Sequence, residues 1–354
     1  MLLFLAAANA FVPIFKAVAA PSPQSTQQSC APTVFAPAGS YDSRSARRGP
    51  GLVLSGAGAG NMPSAAFTWM RAHIGASRQG RAGNVVVLRA SGERDSTDDF
   101  YRQGRFAWVQ EILIPPCATR AQADALAPYV DRADAVFFSG GDQANYAAWK
   151  GSGLIEAVRR VYARGGIVGG GSAGLAIQGA IVFDSVAADR LHPNDDNYNV
   201  RTSNAVPNPL EPEISFTTGL FDWPPLRNTI TDTHFVARDR FGRLVAFLAR
   251  IAQDRLATPP LYGLGVDAGS VVLVERDGAA TVRISPKSHG AYLVRMTSSP
   301  TLDAGRPLSA TVDVMHFGRD GERLDLGAKT GREEWYTVRV DGTKAQPYDR
   351  DPYR

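Results

Sequence analysis

Between residues 51 and 174 the chain repeats one pattern: a short apolar run, a break usually made by glycine, and often a stretch with helical spacing. The runs are GLVLSGAGAG (51–60), NVVVLRAS (84–91), WVQEILIPP (108–116), AVFFSGG (135–141) and IVGGGSAG (167–174). Apolar runs without strict alternation suit strands buried on both faces, and strands separated by helices cross over to pair in parallel. TRAQADALAPYV (119–130) has the spacing of an amphipathic helix opened by Thr119 as a cap. LIEAVRRVYAR (154–164) places Leu154, Val158, Val161 and Tyr162 on one helical face. The expected fold is α/β, a mostly parallel sheet with helices on both faces. Ligands of such sheets bind outside the carboxyl ends of the strands, so GAGAG, SGGDQ and GGGSAG are expected to meet at one crevice.

The remainder divides by texture. Residues 180–228 are rich in Asn, Asp and Pro and read as long loops. In residues 231–251 the second half is helical, with Leu244, Val245, Phe247, Leu248 and Ile251 as its apolar side. Residues 261–284 read as two or three strands with Asp277-Gly278 as a hairpin turn. Runs such as TVDVMHF and WYTVRV suggest a small C-terminal antiparallel β appendage over 291–354, after a main domain at 51–290.

MLLFLAAANAFVPIFKAVAA (1–20) is apolar and ends in small residues, as a cleaved export signal does. It is too short an apolar run for the ~20 residues that span a bilayer, so no stable membrane insertion is expected, and the product is secreted or periplasmic. Residues 21–50, rich in Pro, Ser, Ala and Gln, read as a disordered leader. The net charge of +4 is spread without a Lys/Arg block, which argues against nucleic acid as a partner. Cys30 and Cys117 either pair or stay as thiols, and neither has metal-ligand spacing, so no metal and no cofactor are expected. A homodimer is left open.

Gly170-Gly171-Ser172-Ala173-Gly174 fits G-x-S-x-G, a strained strand-to-helix turn that exposes one hydroxyl. The alternative, a phosphate loop, lacks the expected lysine. A serine nucleophile needs a base. Of the five histidines, His234 stands out. It follows Asp232 and Thr233 and precedes Arg238, Arg240 and Arg243, which are either solvated charges or a fork of donors for carboxylates.

SGGDQ (139–143), GGGSAG (169–174) and DTHFVARDRFGRL (232–244) resemble, in order and spacing, the signature segments of the cyanophycinase and aspartyl dipeptidase family of serine peptidases. The likeness runs over roughly residues 51–275. It implies a class I glutamine amidotransferase-like (flavodoxin-like) fold and cleavage next to aspartate; cyanophycinases release β-aspartyl-arginine dipeptides from a polymer. Carried over, Ser172 is the nucleophile and His234 the general base. Ala173 with Gly140 or Gly141 supplies the oxyanion hole. Gln143, Asp232, Arg238, Arg240 and Arg243 match pocket positions, the arginines facing aspartyl carboxylates and Asp232 a substrate arginine. Three positions depart: Gly171 stands where the family usually has Thr, Thr233 where cyanophycinases have Gln, and Asn204 where exported relatives often show Glu. The third triad member is Asp184, Asp189, Glu211 or Glu213, or is absent. The expected protein is thus an exported serine peptidase acting on cyanophycin or another aspartyl peptide, the alternatives being an aspartyl dipeptidase or other small-peptide amidohydrolase and a catalytically silent binder.

Overall fold

A computed structural model describes residues 29–43, 47–74, 80–195 and 198–354. The expected export signal and the first residues of the leader lie outside the described residues.

The chain opens with β1 (Thr33–Val34) and β2 (Ala38–Gly39), then β3 (Gly51–Ser55), β4 (Asn84–Arg89), β5 (Trp108–Leu113), β6 (Ala135–Phe138) and β7 (Ile167–Gly171). Strands β3 to β7 pair in parallel in the order β5-β4-β6-β7-β3. Successive residues point to opposite faces. Leu52, Leu54, Val86, Leu88, Val136, Phe138 and Val168 therefore enter one apolar layer, and Val53, Val85, Val87, Phe137 and Ile167 enter another. Helix Gly153–Ala163 covers the first with Leu154, Ile155, Val158 and Val161, and helix Ser64–His73 covers the second with Ala66, Phe67 and Met70. The α/β class with both faces covered is as the sequence implied.

Residues 119–130 form two short helices, Arg120–Asp124 and Ala127–Asp131, rather than one. Thr119 caps the first through a reciprocal bond with Gln122. Pro128 lacks the N–H that a continuous helix would use, so it sits in the first turn of the second.

The leader differs from expectation. Between residues 29 and 50, β1 and β2 run antiparallel to β5, and a disulfide joins Cys30 to Cys117 across 87 residues. Without them β5 would be an open sheet edge. Two-residue strands have no periodicity to read.

The chain then builds a second sheet and returns twice to the first. β8 (Ile181–Phe183), β9 (Phe216–Thr218), β10 (Thr229–Asp232) and β11 (Leu261–Val266) belong to the second. β12 (Ser270–Val274) and β13 (Ala279–Ile284) form the expected hairpin and join the first sheet antiparallel to β3. β14 (Ala291–Met296) and β15 (Ser309–Phe317) enter the second sheet, β16 (Arg323–Asp325) and β17 (Thr330–Gly331) extend the first, and β18 (Tyr336–Asp341) ends the second. The second sheet has seven strands in the order β18-β15-β14-β11-β10-β8-β9.

One expectation is corrected here and another is made more specific. Residues 180–228 are not loop throughout, since they supply β8 and β9, three-residue strands too short to show alternation. The C-terminal antiparallel strands are present as expected, and β14, β15 and β18 are continuous with the second sheet. β14 pairs with β11 along its whole length, and Val294, Val312, Val314 and Val338 share one core with Leu244, Val245, Phe247, Leu248 and Ile251 of helix Phe241–Gln253. Strand-like runs reveal their existence in sequence but not their partners.

Candidate functional site

The carboxyl ends of β6, β7 and β10 converge. Ser172 follows β7 with φ 54° and ψ −121°, a conformation that side-chain-bearing residues rarely adopt. Its N–H donates to Ser55 O at 3.2 Å, and its carbonyl accepts from the N–H groups of Leu175 and Ala176. The flanking glycines are explained by neighbouring backbone. A Cβ at Gly171 would lie 2.1 Å from Ala57 O, and one at Gly174 would lie 2.0 Å from Phe138 O. That leaves no room for a threonine at 171.

His234 follows β10 with φ 44°. Its N–H donates to Gly56 O at 3.0 Å, and its Nε2 lies 2.9 Å from Ser172 Oγ. Residues 62 apart in sequence are thus brought into hydrogen-bond contact. The GAGAG turn does not line the crevice; through Ser55 and Gly56 it holds both the serine and histidine backbones.

The loop after β6 forms one wall. A Cβ at Gly140 would lie 3.5 Å from Ser172 Cβ, so Gly140 abuts the serine, and Gly141 lines the cavity with a φ of 132°. Among the described residues, the N–H groups of Gly140 and Gly141 donate to no protein oxygen. The buried Tyr146 hydroxyl donates to Ser139 O at 3.0 Å and fixes this loop, and Asp142 caps the next helix through Ala144 N–H. Gln143 is buried and lines the cavity without a side-chain partner among the described residues. Ala173, the first residue after the serine, lines it too.

A small cavity lies among Gly141, Gln143, Ser172, Asn199, Arg238 and Arg240. The three arginines divide into two roles. Arg243 is buried, gives Nε–H to Asp232 Oδ2 at 2.8 Å and a second N–H to Oδ1, and holds Val200 O and Asn199 Oδ1 with Nη1. Arg240 donates to Asp232 Oδ1 at 3.3 Å and to Thr233 O and Oγ1. Arg238 is exposed and makes no side-chain hydrogen bond or ion pair among the described residues, yet it lines the cavity and both adjoining ones. Asp232, expected to face a substrate arginine, does line the cavity, but both its oxygens already accept hydrogen bonds inside the protein, from Arg243, Arg240 and Thr233 N–H. Burial works to raise its carboxyl, and Arg243 and Arg240 outweigh that, holding it below the usual carboxylate range.

None of the four acids considered for a triad bonds His234 among the described residues. Asp184 accepts from Val186 N–H, Ser215 and Thr217; Glu213 pairs with His192 at 3.0 Å; Glu211 accepts from Tyr198; Asp189 lines the adjoining cavity. Asn204 accepts from Arg201 N–H. Burial pushes the His234 pKa down to about 4, and Arg238 and Arg240 push the same way against Asp232 and Asp267. The imidazole is therefore neutral at neutral pH, and in its tautomer with an unprotonated Nε2 that nitrogen accepts from Ser172 Oγ–H.

Sequence reasoning missed three supports. Thr231 Oγ1 donates to Leu175 O and Ala176 O, tying β10 to the serine turn. Asp267 Oδ1 accepts from Val236 and Ala237 N–H just after His234. Asn199 lines all three cavities around Ser172. Thr231 and Asp267 sit beside recognisable strands, whereas Asn199 lies where no pattern marks it.

No protein-family model matches the chain. It is 27% identical over 260 residues to cyanophycinases of Synechococcus elongatus and Thermosynechococcus vestitus, covering 70% of this chain and 72% of each relative. It is 25% identical over 224 residues to a cyanophycinase of Trichormus variabilis, covering 62% of this chain and 66% of that one. Among solved structures it is similar to a peptidase from an acI-B1 actinobacterium, with TM-score 0.39, 16% identity, and coverage of 81% of this chain and 96% of the other. A putative peptidase E of Listeria monocytogenes gives TM-score 0.41 and 11% identity over 67% of this chain and 98% of the other. Those two structural likenesses are too loose to bear on function.

Proposed function

From a chain that belongs to the cyanophycinase and peptidase E family and is a peptidase, we infer a Ser172–His234 mechanism that cleaves amide bonds next to aspartyl residues. The observation that carries the reading is Ser172 Oγ at 2.9 Å from the Nε2 of a neutral His234. Ser172 Oγ attacks the carbonyl carbon as Nε2 takes its proton. The carbonyl oxygen becomes an oxyanion facing the N–H groups of Ala173 and of Gly140 or Gly141. The C–N bond breaks as Nε2 returns the proton to the leaving amine. Water then attacks the acyl-enzyme by the same route, giving the acid and free Ser172.

Arg238, with Arg240 behind it and Gln143 opposite, receives the aspartyl carboxylate. Arg243 and Asp232 act as the buried support of this wall. Among the described residues no carboxylate bonds His234, so the pair works as a dyad, with the backbone of the histidine's turn held by Gly56 O and Asp267. We infer export as well, because the Cys30–Cys117 disulfide suits an oxidising compartment.

The relatives' name points to cyanophycin as substrate. Incubation of the protein with that polymer is expected to release soluble β-aspartyl-arginine, read by mass spectrometry. Its absence across cyanophycin and a β-aspartyl peptide library would sink the substrate reading. One observation, that among the described residues no carboxylate bonds His234, favours a second reading as a silent binder in the same crevice. Fluorophosphonate labelling separates the two, since an activated Ser172 reacts and a silent one does not.

The pH profile follows from His234. Its neutral form is the active base, so kcat/KM is expected to stay level from neutral pH to about pH 5 and fall with an apparent pKa near 4. Arg238→Gln removes one of the charges that depress it and is expected to move that acid limb upward. A wild-type limb at the free-imidazole value of about 6.5 would contradict the burial argument.

A further inference from the structure

We propose that Asn199 is a specificity-determining donor to the carboxylate of the substrate; the proposal rests on the peptidase reading above. The amide orientation is set by Arg243. A guanidinium has no acceptor, so its Nη1–H can meet only the carbonyl end of Asn199. The Nδ2 end then carries two donors, and among the described residues it makes no hydrogen bond. Asn199 is half-buried and lines the cavity that holds Ser172, Gln143 and Arg240. It also lines the cavity of Arg201 and Arg238, and a larger one that Ser172, Gln143 and Arg238 line too. An Nδ2 donor at this junction, beside Arg238, complements an anion.

This gives the buried ion pair a task. Asp232 takes Nε–H and one terminal N–H of Arg243, which turns Nη1 toward Asn199 Oδ1 and Val200 O. Asp232 and Arg243 therefore position Asn199 without touching the substrate, and Asn199 makes the contact. A residue that merely anchors its loop would need only its acceptor. A residue that selects carboxylates needs its donors.

Asn199→Asp separates the two, since it keeps an oxygen for Arg243 and replaces the donors with an acceptor. The substrates are a β-aspartyl peptide with a free α-carboxylate and its α-carboxamide. In Asn199→Asp, kcat/KM on the acid is expected to fall about 10- to 100-fold, mostly through KM, as for a lost bond to a charged group, while the carboxamide changes less than about threefold. Fluorophosphonate labelling of Ser172 should be unchanged. Asn199→Ala is expected to lose the same acid preference. Equal changes on both substrates, or none in Asn199→Asp with a loss in Asn199→Ala, would overturn the proposal in favour of anchoring. A wild-type protein that labels but hydrolyses neither substrate would instead overturn the peptide-cleaving reading, and the inference with it.

Discussion

Ser172→Ala is expected to lower kcat on an aspartyl substrate by about 10⁴- to 10⁶-fold while the protein stays folded. The loss follows from removing the covalent route: without Oγ no acyl-enzyme forms, and what remains is the help given by the N–H groups and by binding, as in other serine peptidases stripped of their nucleophile. Folding is spared because among the described residues Oγ bonds only His234 Nε2, and the side chain is half-buried. A neutral hydrogen bond of this kind contributes about 1 kcal/mol. The backbone makes a sharper comparison. At φ 54° and ψ −121° a side-chain-bearing residue stores on the order of 1–3 kcal/mol of strain, which alanine keeps and glycine releases. Ser172→Gly should thus be as inactive as Ser172→Ala but melt at a higher temperature. A Ser172→Ala protein within tenfold of wild-type kcat would remove the nucleophile from the scheme; a Ser172→Gly protein that melts no higher would remove the strain.

The strain also explains why this turn could be read before any coordinates. Glycines at 170, 171 and 174 are dictated by the backbone of Gly174, Ala57 and Phe138 respectively, and such local demands leave a mark in composition. The long, uninterrupted elements were legible for a related reason. Strands β3 to β7 are buried on both faces and so stand out as unbroken apolar runs, and helix Phe241–Gln253 is long enough to show a helical period. The second sheet was not legible, because its strands come from as far apart as Ile181 and Asp341 and two of them span only three residues. Pairing over such separations depends on which apolar faces remain open after the first sheet forms, and a single run does not record that.

The site divides along the same line. Charge type is visible in sequence, but the choice of partner is not. Asp232 and Arg238 lie six positions apart and read alike as pocket groups, yet one is sealed between two guanidinia and the other is exposed. The difference arises from β10, which directs Asp232 into the space beneath helix Phe241–Gln253, where Arg243 sits one turn into the helix. Asn199 gave no signal because its loop has no period and its role depends on a partner 44 residues away.

Asp232→Ala should accordingly be the most damaging single change outside the reacting pair, and through stability. Asp232 is buried, and among the described residues it is the one carboxylate bonded to Arg240 and Arg243, both buried as well. Removing it leaves two guanidinia in low dielectric with their mutual repulsion uncompensated. Breaking a buried pair this way costs about 3–5 kcal/mol, whereas replacing the whole arrangement by apolar groups of similar volume is often neutral. For a chain of this size the cost corresponds to a fall in Tm of roughly 4–7 °C. Activity should fall too, since Arg240 would lose the anchor that sets its bonds to Thr233, the residue before His234. The double variant Asp232→Leu with Arg243→Met tests the cause. If the damage is unpaired charge, the double variant melts well above Asp232→Ala, though Asn199 loses its orientation and the carboxylate preference disappears. If the damage is lost packing, the second substitution adds to the first, and a Tm below that of Asp232→Ala would reject the electrostatic account.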